Sequence, residues 1–86
     1  MNEWTLRIMA IAEKRISRIP NPEKKRILMA IDELRYDPFA HDVISLSGRR
    51  EHRLRVGGWR VLLLIDENDR SVTVLSVNAR GDAYKK

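Results

Sequence analysis

Gly57-Gly58 interrupts two stretches in which apolar and polar residues alternate, Glu51-His52-Arg53-Leu54-Arg55-Val56 before it and Trp59-Arg60-Val61-Leu62 after it. No other feature limits the fold so strongly, because a two-residue glycine connector signals a β-hairpin in which the turn sets the register of both strands. Glycine accepts the positive φ angles that a type I′ turn needs. The predicted pairs are Val56 with Trp59, Arg55 with Arg60, Leu54 with Val61 and Arg53 with Leu62. Opposed side chains share a face, as do those two apart along a strand. Arg53, Arg55 and Arg60 therefore point one way, together with Leu62 and Leu64. Leu54, Val56, Trp59, Val61, Leu63 and Ile65 point the other way and form the core side.

Like charges directly opposite each other destabilise a sheet. At about 5 Å and an effective dielectric of about 20, Coulomb's law puts the Arg55/Arg60 repulsion at about 3 kcal/mol, and several-fold less on a fully wet face. A bound polyanion removes that cost. The plain alternative is a set of solvated guanidiniums with Glu51 or Asp82 as partners. Leu62 and Leu64 lie among the arginines, so the face is partly covered, as the lining of an anion-binding groove would be.

The charge totals point the same way. Positions 1–48 hold 8 Lys and Arg against 7 Asp and Glu, whereas positions 49–86 hold 9 against 5. The basic excess thus sits with the hairpin, and it implies a phosphate-rich or acidic partner met in a salt-sensitive way. There are 86 residues, enough for one domain, spanning 1–86, with a single modest core. Cysteine is absent, which excludes disulfides, a thiol nucleophile and a cysteine-based zinc site. Met1-Asn2-Glu3-Trp4 has no basic and apolar leader pattern, and the apolar run Val61–Ile65 is far short of a membrane span. The expectation is a soluble cytoplasmic domain with no membrane partner.

Upstream, Trp4, Leu6 and Ile8 alternate with polar residues and predict a first strand. Met9, Ala12, Ile16 and Ile19 then recur at helical spacing until Pro20 stops the run. Asn21-Pro22-Glu23 reads as a helix start with Asn21 as N-cap, and Ile27, Ala30, Ile31 and Leu34 supply one apolar stripe before Asp37-Pro38 ends it. A connector over 39–50 follows. Strands are predicted near Glu51–Val56, Trp59–Asp66 and Ser71–Asn78. The order β-α-α-β-β-β describes an α+β domain, a helical hairpin packed on a mainly antiparallel four-stranded sheet. Unbroken alternation from the Asp66/Ser71 pairing would put Thr73, Leu75, Val77 and Ala79 on the arginine face. Arg80 would then fall on the other, and the chain would have to leave the strand after Asn78 to bring it round.

Several of these residues carry a family resemblance. Leu46-Ser47-Gly48, the run Arg53-Leu54-Arg55-Val56-Gly57-Gly58-Trp59-Arg60-Val61, Ile65-Asp66 and Arg80-Gly81-Asp82-Ala83-Tyr84 stand in the order and spacing of the RelE toxins. The chain resembles that branch of the RelE/ParE superfamily, small toxins of type II toxin–antitoxin modules, over nearly its whole length. The resemblance implies a ribosome-dependent messenger RNA endonuclease that needs no cofactor or metal and is neutralised by a cognate antitoxin. It also implies a catalytic set of Arg53, Arg55, Arg60, Arg80 and Tyr84. The chain departs from the family at His52, which replaces an aromatic residue, at Ala79, where a histidine often precedes the arginine, and at Leu63-Leu64, which replaces a more polar pair. Two alternatives stay open: a gyrase inhibitor of the ParE branch, and a degenerate homologue that binds RNA without cleaving it.

Ala79 removes the obvious base, since arginine does not deprotonate in proteins. Arginines do match phosphate oxygens bidentately and can stabilise a phosphorane. His52 alternates onto the core side, so it reads as structural, and His41 has no evident partner. Lys24-Lys25-Arg26, with Arg15 and Arg18, is either a solvated helix face or a contact to ribosomal RNA. Asp66, Asn68 and Asp69 lack the glycine and terminal glutamate of a calcium loop, and no phosphate-binding glycine loop or nucleophile–base–acid arrangement occurs.

Overall fold

A computed structural model describes residues 3–39 and 43–79. Strand β1 (Thr5–Ile8) leads into α1 (Ala10–Ser17) and α2 (Glu23–Glu33), followed by β2 (Val43–Ser45), β3 (Glu51–Val56), β4 (Trp59–Asp66) and β5 (Ser71–Ala79). The strands form one mixed sheet in the order β1-β5-β4-β3-β2. The α+β class and the helical hairpin are as expected. The sheet has five strands rather than four, because Val43–Ser45, inside the expected connector, pairs with Leu54, Arg53 and His52 of β3.

Both helices pack on one face of the sheet. Ala12, Ile16 and Ile19 from the first helical segment and Ile27, Ile31 and Leu34 from the second bury against Leu54, Val61, Leu63, Val72, Val74 and Val77. The helical period brings those side chains onto one stripe, and the strand period brings theirs onto one face. Asn21 does not cap α2: the N-cap position is Pro22, with no side-chain cap bond. The backbone carbonyl of Pro20 instead accepts from the Lys24 N–H at 3.1 Å, so one of the orphan donors of the first turn is satisfied without a polar side chain. At the other end of α2, the Trp4 N–H donates to the Arg35 carbonyl at 2.7 Å and ties β1 to the helix exit.

Between β3 and β4 the register is the expected one, including Arg55 opposite Arg60 and Val56 opposite Trp59. The turn differs in type. Gly57 has φ +58°, and it is the only one of the pair in the left-handed region, which fits a type II′ turn and not type I′. Both types join paired strands through two residues, so the register is unaffected.

The β4/β5 pairing carries a correction. Leu62 pairs with Ser76 and Leu63 with Val74, so Leu75 is an extra residue at a β-bulge. A bulge of this kind shifts the alternation of the strand by one position beyond it. Val77, expected on the arginine face, is 2% exposed in the core, and Ala79 pairs with Trp59 on the core side. Ser76 and Asn78 take their place opposite Leu62 and Arg60. The reason for expecting a detour to Arg80 therefore disappears. Arg80 and Tyr84 lie outside the described residues, as does His41.

Candidate functional site

The face of the sheet turned away from the helices is built in rows that run across the strands. Arg55, Arg60 and Asn78 form the row nearest the hairpin turn. Ile44, Arg53, Leu62 and Ser76 form the next, and Glu51, Leu64, Thr73 and Arg7 the third. Neighbouring side chains in a row have Cβ atoms about 4.5–5.5 Å apart. The three arginines named from the hairpin are thus brought together, with Arg55 exposed and Arg53 and Arg60 half-buried. Arg55 makes no hydrogen bond or ion pair among the described residues, which leaves its fork of donors to the solvent side. Glu51 is taken up by Arg49, at 3.2 Å between Arg49 Nε and Glu51 Oε1.

The mixture of residues on this face has a chemical consequence. Leu62 and Leu64, both half-buried, lower the local polarity around the guanidiniums, and lower dielectric strengthens their attraction for an anion. Planar guanidiniums from adjacent strands match the oxygens of a phosphodiester, which needs two or more donors on separate oxygens as charge develops. Ser76 and Asn78 add neutral donors and acceptors beside them. Sequence reasoning missed both residues by assuming unbroken alternation; the signal was the change of phase at Leu75-Ser76, since the Val72/Val74 phase continued would bury polar Ser76 and Asn78.

His52 lies on the opposite face. It pairs with Leu63 of β4, and its ring meets Phe39 edge-on with centroids 5.9 Å apart. Phe39 in turn meets Trp4 at 6.0 Å, and the Arg70 guanidinium stands 4.7 Å over the Trp4 ring. The Nδ1 atom of His52 is buried with no hydrogen-bond partner in the described structure. This histidine therefore belongs to the packing between β3 and the chain after α2, and it does not reach the arginine face.

The five basic residues singled out in the helical hairpin, Arg15, Arg18, Lys24, Lys25 and Arg26, have different surroundings. Arg15 sits over the ring of Trp59 at 5.6 Å, and the Trp59 indole N–H donates to Glu23 Oε1 at 3.4 Å, so this arginine braces the hairpin from the helix side. Arg26 lines a cleft with Glu23, Trp59 and the Gly57-Gly58 turn. Lys25 borders a different groove, with Leu28, Met29, Asp32 and Glu33. Lys24 is half-buried and Arg18 follows the end of α1. Among the described residues no three His, Cys, Asp or Glu side chains converge as metal ligands would, and no helix is long and apolar enough to cross a membrane.

The fold has counterparts among solved structures. The archaeal RelE–RelB complex from Pyrococcus horikoshii OT3 is 28% identical to this chain, covers 94% of it and 98% of its own length, and superposes with a TM-score of 0.82. The chain is similar to the RelE proteins in sequence and fold. The RelBE2 toxin–antitoxin complex of Mycobacterium tuberculosis is 25% identical over 91% of this chain and 99% of its own, with a TM-score of 0.66. The isolated Escherichia coli RelE toxin, at 14% identity over 90% of this chain and 84% of its own, shares the RelE fold with a TM-score of 0.75. No protein-family model and no curated protein matches the sequence.

Proposed function

We propose that this RelE-type chain is the toxin of a toxin–antitoxin module and acts as an endoribonuclease on messenger RNA in the ribosomal decoding site, where a cognate antitoxin prevents it from binding. The observation that carries this reading is the single face bearing Arg53, Arg55 and Arg60, with two of them directly opposed. An arrangement that costs folding energy and fits a polyanion is best explained by the polyanion. Two of the solved relatives named above, the Pyrococcus RelE–RelB and the Mycobacterium RelBE2 toxin–antitoxin structures, are complexes, which supports the partner.

Cleavage of RNA by its own 2′-hydroxyl forms a bond from O2′ to phosphorus and breaks the bond from phosphorus to O5′. The 2′-hydroxyl loses a proton and the departing 5′-oxygen gains one. In this proposal Arg55 and Arg60 hold the non-bridging oxygens as charge builds on the phosphorane, and Arg53, one row further along, holds the chain of the RNA. The ribosome aligns O2′ with the phosphate, and the O2′ proton passes to solvent water, because the arginines do not accept one. Arg80 and Tyr84 enter the catalytic set from the family resemblance alone, Tyr84 as a stacking or proton-donating group. Lys25, Arg26 and Arg18 face solvent and are available to ribosomal RNA, whereas Arg15 and Lys24 are partly committed to the fold.

Primer extension on a translated reporter after brief induction tests the reading. Discrete cuts inside the reading frame, absent from an untranslated copy of the same message, are expected. Arg60→Ala should lower cleavage by roughly 10²–10³, the loss seen when one preorganised charge-stabilising donor is removed, without loss of soluble protein. An equally toxic Arg60→Ala would remove the arginine face from the mechanism. No cuts, together with a DNA-damage response, would support the gyrase inhibitor, and growth inhibition with neither would support binding without cleavage.

A further inference from the structure

The bulge at Leu75 places a neutral hydrogen-bonding pair inside the arginine face. Asn78 stands directly across β4/β5 from Arg60, which itself stands across from Arg55, so one amide and two guanidiniums share a row. Asn78 is half-buried, and its Nδ2 donates to Ser76 Oγ at 3.4 Å. That contact occupies one of the amide's two N–H groups. Oδ1 and the second N–H remain, one acceptor beside one donor at a fixed edge. Bulges beside functional sites commonly re-aim a side chain, and without this one the row would end in an apolar residue.

Phosphates and bases ask for different groups. Guanidiniums bind the charged oxygens of any nucleotide and carry no sequence information, whereas a planar amide reads a base edge. Adenine presents N6–H as donor beside N7 as acceptor, the complement of an Asn amide. Guanine presents O6 and N7, two acceptors that match arginine instead. We propose that Asn78, held by Ser76, is a base-reading residue of the arginine face and favours adenine over guanine in the nucleotide whose phosphate the arginines bind. This rests on the reading of that face as an RNA site and names a specificity determinant within it. Ser76 is a positioning residue: it touches the amide and not the base.

The test uses the purified full-length chain and four probes, adenosine, guanosine, cytidine and uridine 3′-monophosphates, with inorganic phosphate as the reference. Binding is followed by chemical shifts of the Asn78 side-chain amide and the Arg55 and Arg60 amides. The adenosine nucleotide should bind about tenfold more tightly than the guanosine nucleotide, within the range of one good bidentate base contact. Asn78→Ala should bring the two within about twofold while leaving inorganic phosphate binding unchanged. Asn78→Asp, which keeps the acceptor and loses the donor, should also lose most of the preference. Ser76→Ala should reduce the preference less than either, because it loosens the amide without removing it. Equal binding of all four nucleotides to the unaltered chain, no binding of any, or a loss of phosphate binding in Asn78→Ala equal to the loss of nucleotide binding would each overturn the proposal. The two readings fail separately. Base preference without cleavage on ribosomes overturns the nuclease and leaves Asn78 as a reader, and cleavage without base preference does the reverse.

Discussion

Replacing Arg55 by Gln should make the protein more stable and less functional, and the gain in stability should depend on salt. In the folded chain Arg55 is exposed and directly opposite Arg60. The two guanidiniums can splay outward from opposed Cβ atoms, and at a separation of about 8 Å their repulsion lies between about 0.5 kcal/mol at the dielectric of water and about 2 kcal/mol at an effective dielectric of 20. Exposure of Arg55 favours the lower end, as exposed charge pairs are typically worth about 0.2–1 kcal/mol. Gln keeps length and polarity, so little else changes. A gain of about 0.5–1 kcal/mol in a domain of this size raises Tm by roughly 2–8 °C. Thermal unfolding would be followed in about 0.01 M salt, where the screening length is about 30 Å, and again in about 1 M salt, where it is about 3 Å. The gain should be present in the first and gone in the second. Inorganic phosphate should stabilise the unaltered chain more than the variant, because an anion that binds only the folded state adds stability by mass action. A variant that is less stable at low salt, or whose gain persists at high salt, would show that the opposed arginines are not in electrostatic conflict, and the inference from that conflict to a bound polyanion would fall.

His52→Gln should retain most ribosome-dependent cleavage, since the ring packs on Phe39 away from the arginines, with a stability cost of about 0.5–1.5 kcal/mol for the lost ring contact; a cleavage loss of 10²-fold or more in a folded variant would assign the proton transfer to this residue. Leu63→Ala, at a position with 0% exposure at the centre of the sheet, should cost about 2–5 kcal/mol and give a protein that unfolds at or near room temperature by circular dichroism; a fully folded, undiminished variant would contradict the core described here. Binding of the antitoxin should weaken as salt rises, because the chain carries a formal net charge of +5 and an acidic partner gains association rate from it; surface plasmon resonance showing the same Kd at low and high salt would point to a purely apolar clamp.

The hairpin and its arginine face were legible from the chain alone because their determinants are local. A two-residue connector leaves one register for the strands beside it, and once that register holds, alternation decides which side Arg53, Arg55 and Arg60 take. The turn type itself did not matter to that result, and type II′ served as well as the expected I′. Helix stripes were legible for the same reason, since Ala12, Ile16 and Ile19 in the first helical segment, and Ile27, Ile31 and Leu34 in the second, each repeat within a few residues of one another. The tertiary structure alone decided what depends on distant partners. Val43–Ser45 is too short to read as a strand without the β3 edge it pairs with. Asn21 has the chemistry of an N-cap, but the Pro20 carbonyl met the donor first. Arg15 and Glu23 converge on Trp59 from positions far away in the chain. The bulge at Leu75 is decided by how β5 must pack against β4 and the helices together, and a shift of one residue there exchanges the two faces of the strand. That shift sends Val77 to the core and Asn78 to the arginines; unbroken alternation would have turned polar Ser76 and Asn78 toward the core beside Val72 and Val74, and the packing of that core decides against it.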